Sequence, residues 1–327
     1  MLNAAIVGLG NWGRRLVDSV QGRSDKLRFV AGATRSPDKA ADYARGHGIA
    51  LRGGYEELLS RPDIDAVVLA TPHSQHAGQI AQAARAGKHV YVEKPFTLTR
   101  ASAEDAVRAA RERGIVLAAG FNRRFRPALV EMKRMAAEGA LGKIVHIEGA
   151  MSGAPADGRR PRGGWRGSRE ESPGGAMTAK GIHILDQMLW FAGPVDSVYA
   201  FSDRRTETYA PLDDVTSLAL HFRSGVTGML STIYSTAEFW RMHVFGTDGW
   251  AQVLGESTLV TRTLDGVPQT REYPAGFDSL RAALEGFADA VAGRASYPVS
   301  LDDAVNGSAV LEAIVPSAQS GQPVRIA

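Results

Sequence analysis

The feature that most constrains this chain is the alternation of short apolar runs with amphipathic stretches over its first 120 residues. Residues 4–7, 27–33, 66–70, 89–92 and 115–118 are strand-length and almost wholly apolar. Between them, residues 75–86 and 102–113 carry apolar side chains at helical spacing, and the second stretch stops at Arg113-Gly114. Strands apolar on both faces need helices on both sides, which is the pattern of a doubly wound parallel sheet. The reading is an α/β domain over residues 1–121.

The pattern changes beyond residue 121. Residues 127–138 read as a helix and 143–150 as a strand, and 152–172 is rich in Gly, Pro and Arg and has no periodicity. A helix over 175–191 follows, with Pro194 beyond it, then strand-like runs at 195–201, 215–222, 225–234, 241–245 and 251–254. Helices over 279–292 and 301–318 finish the chain. This predicts an α+β domain over 122–327, built on a large and mostly antiparallel sheet. Several functions are excluded by composition. With no cysteine among 327 residues there is no disulfide, thiolate nucleophile or iron–sulfur cluster. The balance of 38 basic against 35 acidic side chains is small and scattered, which argues against a nucleic-acid partner. No apolar run reaches the ~20 residues of a membrane span, and residues 1–7 lack the basic and long apolar regions of an export signal. A cytoplasmic location is the expectation.

Gly8-Leu9-Gly10-Asn11-Trp12-Gly13 fits G-x-G-x-x-G directly after a strand and at the start of a helix. There the glycines permit a tight turn, close approach of a pyrophosphate and helix–strand packing, and the helix N-terminus receives the phosphates. Gly8, Gly10, Asn11, Trp12 and Gly13 are therefore candidate cofactor residues. An acidic residue reading the ribose of NAD is expected about 20 residues on. Thr34-Arg35-Ser36 stands there instead, with no carboxylate before Asp38. Arginine and serine can receive a 2′-phosphate by charge-assisted hydrogen bonds, so NADP is favoured. NAD stays possible, because Arg35 can instead stack on adenine.

Residues 66–72, His76-Ala77 and the run Gly87-Lys88-His89-Val90-Tyr91-Val92-Glu93-Lys94-Pro95 resemble the Gfo/Idh/MocA oxidoreductases. The similarity extends to residues 120–125, 174–186 and 245–249. The resemblance implies an N-terminal Rossmann domain and a C-terminal domain whose open-faced sheet forms a homodimer or homotetramer. It also implies an NAD(P)-dependent enzyme acting on CH–OH groups of a sugar-like small molecule. Lys94 matches the lysine beside nicotinamide and substrate. A partly desolvated lysine there can relay the proton that accompanies hydride transfer. Glu93 is implied as a ribose contact, and Thr71, Pro72, His73 and His76 as the turn on the nicotinamide side. His73 and His76 have no third ligand nearby, so no metal is expected.

His183 matches the second catalytic position of the family. The aspartate that many relatives carry four residues earlier is Ala179 here. Asp186 is a substitute partner for the imidazole, and Lys180 would disfavour its protonated form. Three roles are open to His183: general base, substrate-holding residue beside a Lys94 that acts alone, or a structural histidine in an inactive site. Arg123, Trp165, Arg166, Asp186 and Tyr234 are candidate substrate contacts. Two other outcomes stay open: lyase or hydrolase chemistry through transient oxidation, and a non-catalytic dinucleotide-binding regulator.

Overall fold

The computed structural model describes residues 1–154 and 164–326. The chain divides into two compact units, one of Met1–Thr97, Ala101–Asn122 and Asp278–Leu301, the other of Leu98–Arg100, Arg123–Phe277 and Asp302–Ala327.

The first unit contains β1 (Leu2–Val7), α1 (Asn11–Val20), β2 (Leu27–Ala33), α2 (Pro37–Gly46), β3 (Ala50–Leu51), α3 (Tyr55–Leu59), β4 (Ala66–Leu69), α4 (His76–Arg85), β5 (His89–Val92), most of α5 (Arg100–Glu112) and β6 (Leu117–Ala119). The six strands are all parallel, in the order β3-β2-β1-β4-β5-β6. The order reverses at β1, and ligands of such sheets bind beyond the carboxyl ends of the strands at that switch point. Every residue of β4 is fully buried, as expected for a strand covered on both faces. The two-residue β3 has no apolar run to announce it.

The second unit contains α6 (Pro127–Ala137), β7 (Ile144–Ser152), α7 (Ile182–Ala192), β8 (Val195–Asp203), β9 (Val215–Phe222), β10 (Thr227–Ile233), β11 (Phe239–Gly246), β12 (Gly249–Leu254), β13 (Thr258–Thr263) and β14 (Gln269–Glu272). Its nine-stranded sheet runs β14-β13-β12-β11-β7-β10-β9-β8-β15, where β15 is Val324–Arg325. All its pairs are antiparallel except β7 with β10. Helix α7 lies so close to β7 that a Cβ on Gly149 would come within 2.2 Å of Ile184. That face is the core: Ile147, Leu218, Leu220, Leu230, Met242, Val244 and Val253 are buried. Strand register places Tyr199, Ala219, Met229, Glu148, His243 and Gln252 in one row across the opposite face. Met229 and the nearby Phe201 are exposed by half or more.

Two sequence expectations need revision. The second domain is not the continuous stretch 122–327, because α8 (Ser279–Val291) belongs to the first unit. Phe287 packs edge-on against Tyr91 at 5.9 Å, Arg281 donates to the Ser19 carbonyl at 2.8 Å, and Asp289 pairs with Lys26 at 2.8 Å. From Asp302 in α9 (Leu301–Ser320) the chain returns to the second unit, where it ends with β15. The helix expected over 175–191 is also two structures. Residues Met177–Gly181 form a π-turn, and the α-helix starts at Ile182.

Candidate active site

In the first unit the glycine turn has the geometry that a dinucleotide needs. Gly8 has φ +98, and a Cβ there would sit 2.6 Å from the Ala70 carbonyl oxygen. A Cβ on Gly13 would lie 1.9 Å from the Gly8 carbonyl oxygen. A Cβ on Gly10, by contrast, meets nothing within 4 Å. The first and third glycines are therefore required by the protein itself, and the second faces space that a phosphate can fill. Gly10 caps α1 without a side-chain hydrogen bond, so the first-turn amides, beginning at Asn11, are not taken by a cap. Trp12 lies half-buried beneath the Arg15 guanidinium at 4.8 Å. The residues present fit a dinucleotide.

At the end of β2, Arg35 and Ser36 are exposed and Thr34 is half-buried. The sequence reading missed Arg14. Its guanidinium donates to the Lys39 carbonyl at 2.7 Å and lies 4.7 Å above the Tyr43 ring, so it braces α2 against the glycine turn. A basic residue one turn into the first helix is the only sequence signal it leaves.

The turn after β4 departs from expectation. His76 is fully buried, and its ring nitrogens lie 3.0 Å from the Pro95 carbonyl oxygen and 3.3 Å from that of Thr71. It clamps the Thr71-Pro72 turn to the Glu93-Lys94-Pro95 segment. His73 packs edge-on against it at 5.8 Å and is itself buried. The Thr71 hydroxyl donates to Gln79 at 2.6 Å. Glu93 is buried, and its carboxylate accepts from the Lys94 amide at 3.3 Å. Lys94 itself is half-buried where β5 ends.

In the second unit His183 stands in the first turn of α7 and is 6% exposed. Asp186, three residues on, is committed to a buried ion pair. Its carboxylate accepts from Arg124 Nε and Nη2 at 2.8–3.0 Å, and Arg124 Nη1 pairs with Asp303 at 2.9 Å. Arg124 is 1% exposed, so this is a buried ion triad whose removal from water has to be met by these bonds. The sequence offered no sign of it, because Arg124 is 62 residues away.

Ala179 packs against the buried group of Ala176, Tyr209 and Tyr234. The rings of Tyr209 and Tyr234 are 4.9 Å apart. Burial pushes the Tyr234 hydroxyl well above its ordinary pKa, while the neighbouring Arg166 pulls the other way. Tyr234 is thus an inner residue packed around Ala179. Trp165 and Arg166 form a short 3-10 turn with the guanidinium 4.0 Å above the indole ring. Much of the 152–172 stretch, including Arg159, Arg160 and Arg162, lies outside the described residues. Lys180 is half-buried, and desolvation lowers its pKa. Arg123 pairs with Glu256 at 2.7 Å. No cluster of three or more metal-binding side chains exists among the described residues, and no helix is long and apolar enough to cross a membrane.

Comparison with known proteins agrees with this geometry. Residues 2–121 match the oxidoreductase family with an NAD-binding Rossmann fold, and residues 129–252 match the GFO/IDH/MocA C-terminal domain. The 1,5-anhydro-D-fructose reductase of Ensifer adhaerens is 30% identical over 91% of this chain and 90% of its own length. The scyllo-inositol 2-dehydrogenase (NAD(+)) of Bacillus subtilis is 30% identical over 80% of this chain and 74% of its own. The crystal structure of aldose-aldose oxidoreductase from Caulobacter crescentus, complexed with glycerol, superimposes with a TM-score of 0.87 at 27% identity, covering 99% of each chain. With both of its domains matched, the chain belongs to the GFO/IDH/MocA family of NAD(P)-dependent oxidoreductases.

Proposed function

We propose that the protein is an NADP-preferring oxidoreductase that moves a hydride between nicotinamide and a sugar, polyol or related hydroxy or keto compound. The observation that carries this reading is the glycine turn. It leaves phosphate-sized space at Gly10 and is followed, at the end of β2, by Thr34-Arg35-Ser36 rather than a carboxylate. The relatives named above, a sugar-derivative reductase, an inositol dehydrogenase and an aldose oxidoreductase, support the substrate class.

Bound nicotinamide supplies the hydride acceptor or donor. The α1 amides hold the pyrophosphate, while Arg35 and Ser36 hold a 2′-phosphate. Lys94 takes the hydroxyl proton during oxidation and returns it during reduction. His183 orients the hydroxyl or shares that proton. The Asp186 carboxylate is held by Arg124, and position 179 is alanine. In this reading Lys94, half-buried at the end of β5, is the principal proton carrier. The test is turnover with NADP and NAD across aldoses, polyols and uronates, followed by the absorbance of reduced nicotinamide. Tight cofactor binding with no turnover would favour transient-oxidation chemistry or a regulator instead.

The exposed face of the nine-stranded sheet, with Met229 and Phe201 on it, is proposed to pair with a second copy. Met229→Asp is expected to lower the sedimentation coefficient. A wild-type chain that sediments as a monomer contradicts this.

A further inference from the structure

Residues 34–39 carry Arg35 and Ser36, the side chains assigned above to a 2′-phosphate, and the rest of the first unit holds them lightly. Every residue from Arg35 to Lys39 is exposed. Ser36 caps α2 without a side-chain hydrogen bond, and the buried residues of that helix begin only at Ala40. Among the described residues, one hydrogen bond ties this segment to another element: Arg14 Nη2 donates to the Lys39 carbonyl at 2.7 Å.

Arg14 can hold that carbonyl because it is itself fixed. It stands one turn into α1 and is half-buried. Its Nε donates to the Leu9 carbonyl of the glycine turn at 3.4 Å, and its guanidinium lies 4.7 Å above the Tyr43 ring. The ring is pinned in turn. The Tyr43 hydroxyl donates to Asp18 at 2.6 Å, the Arg14 carbonyl is 3.0 Å from it, and the ring stacks on His47 at 4.1 Å. A guanidinium is planar with its donors in a fixed fork, so it can lie on a ring and still bond two carbonyls at its edge. One of those carbonyls belongs to the turn that holds the pyrophosphate, and the other to the segment that holds the 2′-phosphate. Arg14 thus sets the spacing between two parts of one cofactor site.

We propose that Arg14 is a positioning residue for the choice of cofactor, holding the first turn of α2 against the glycine turn so that Arg35 and Ser36 meet a 2′-phosphate already in place. The proposal rests on the reading of Arg35 and Ser36 as the 2′-phosphate contacts. A site that does not have to be ordered on binding keeps more of its interaction energy. Both dinucleotides use the glycine turn, but only NADP carries the 2′-phosphate. Loss of Arg14 therefore falls chiefly on NADP.

The test compares the full wild-type chain with Arg14→Met, which keeps a long apolar stem and removes every donor. The first readout is hydrogen–deuterium exchange, without cofactor, at the amides of residues 40–43, which bond back to the carbonyls of 36–39 in an α-helix. The second is the dissociation constant of NADP and of NAD by calorimetry. Exchange at residues 40–43 is expected to speed up, with NADP weakened about fivefold or more and NAD changed by no more than about twofold. Arg14→Lys keeps the charge without the planar fork. It is expected to lower the NADP-to-NAD affinity ratio in the same direction, and it decides the matter if Arg14→Met fails to fold. Unchanged exchange, equal losses for the two cofactors, or a wild-type ratio in Arg14→Lys would each overturn the proposal. Arg35→Ala separates the proposal from the reading beneath it. A ratio lowered by Arg35→Ala but not by Arg14→Met overturns the proposal alone, and a ratio lowered by neither overturns both.

Discussion

At the scale of single residues, chemistry and position separate cleanly. Arg35 is exposed beyond the end of β2 and the nearest carboxylate in sequence is Asp38, so its charge is available to a 2′-phosphate. Arg35→Ala is expected to weaken NADP by about tenfold or more and NAD by much less. Equal losses in binding assays would reduce Arg35 to an adenine-stacking residue. The glycine turn was legible in the sequence because it is a local motif with its own backbone requirement. His76 and Asp186 were not. Their partners, Pro95 and Arg124, come from elsewhere in the chain, and both side chains brace the fold internally.

At the scale of elements, the glycine turn separates folding from binding. A Cβ at Gly10 enters open space, whereas one at Gly13 meets the Gly8 carbonyl. Gly10→Ala should therefore leave the melting temperature within a degree or two, since surface changes cost only about 0.5 kcal/mol, yet lower dinucleotide affinity at least severalfold. A large loss of stability would show that the turn itself needs that glycine. Strand β11 offers a pH test. His243 stacks on Phe245 at 3.8 Å between centroids, and desolvation, aided by Arg241, lowers its pKa to about 4. The unfolded chain then binds a proton that the folded chain refuses, so stability is lost as pH falls from about 6.5 towards 4. His243→Gln should flatten urea-denaturation stability across that window; an unchanged pH slope would contradict the assignment. Alternation of apolar and polar residues made most of the long strands legible. It could not reveal β14, whose four residues are all exposed. Nor could it reveal the π-turn before His183, because i→i+4 and i→i+5 bonding leave the same apolar composition.

At the scale of the whole molecule, the sequence conveyed an α/β unit followed by an α+β unit, but not the path of the chain between them. Helix α8 reads as one more amphipathic segment. Only its contacts with Tyr91, Ser19 and Lys26, all far away in sequence, assign it to the first unit. The central claim is that this fold carries out hydride transfer with Lys94 as the proton carrier. Its most direct test compares the wild type with Lys94→Ala, using NADP and the most active compound of the sugar, polyol and uronate panel. Formation of reduced nicotinamide is the readout, and cofactor affinity is measured in parallel. The account predicts turnover in the wild type, a loss of about 10²–10⁴-fold in the variant, and nearly unchanged cofactor binding. Wild-type turnover in the variant would contradict it.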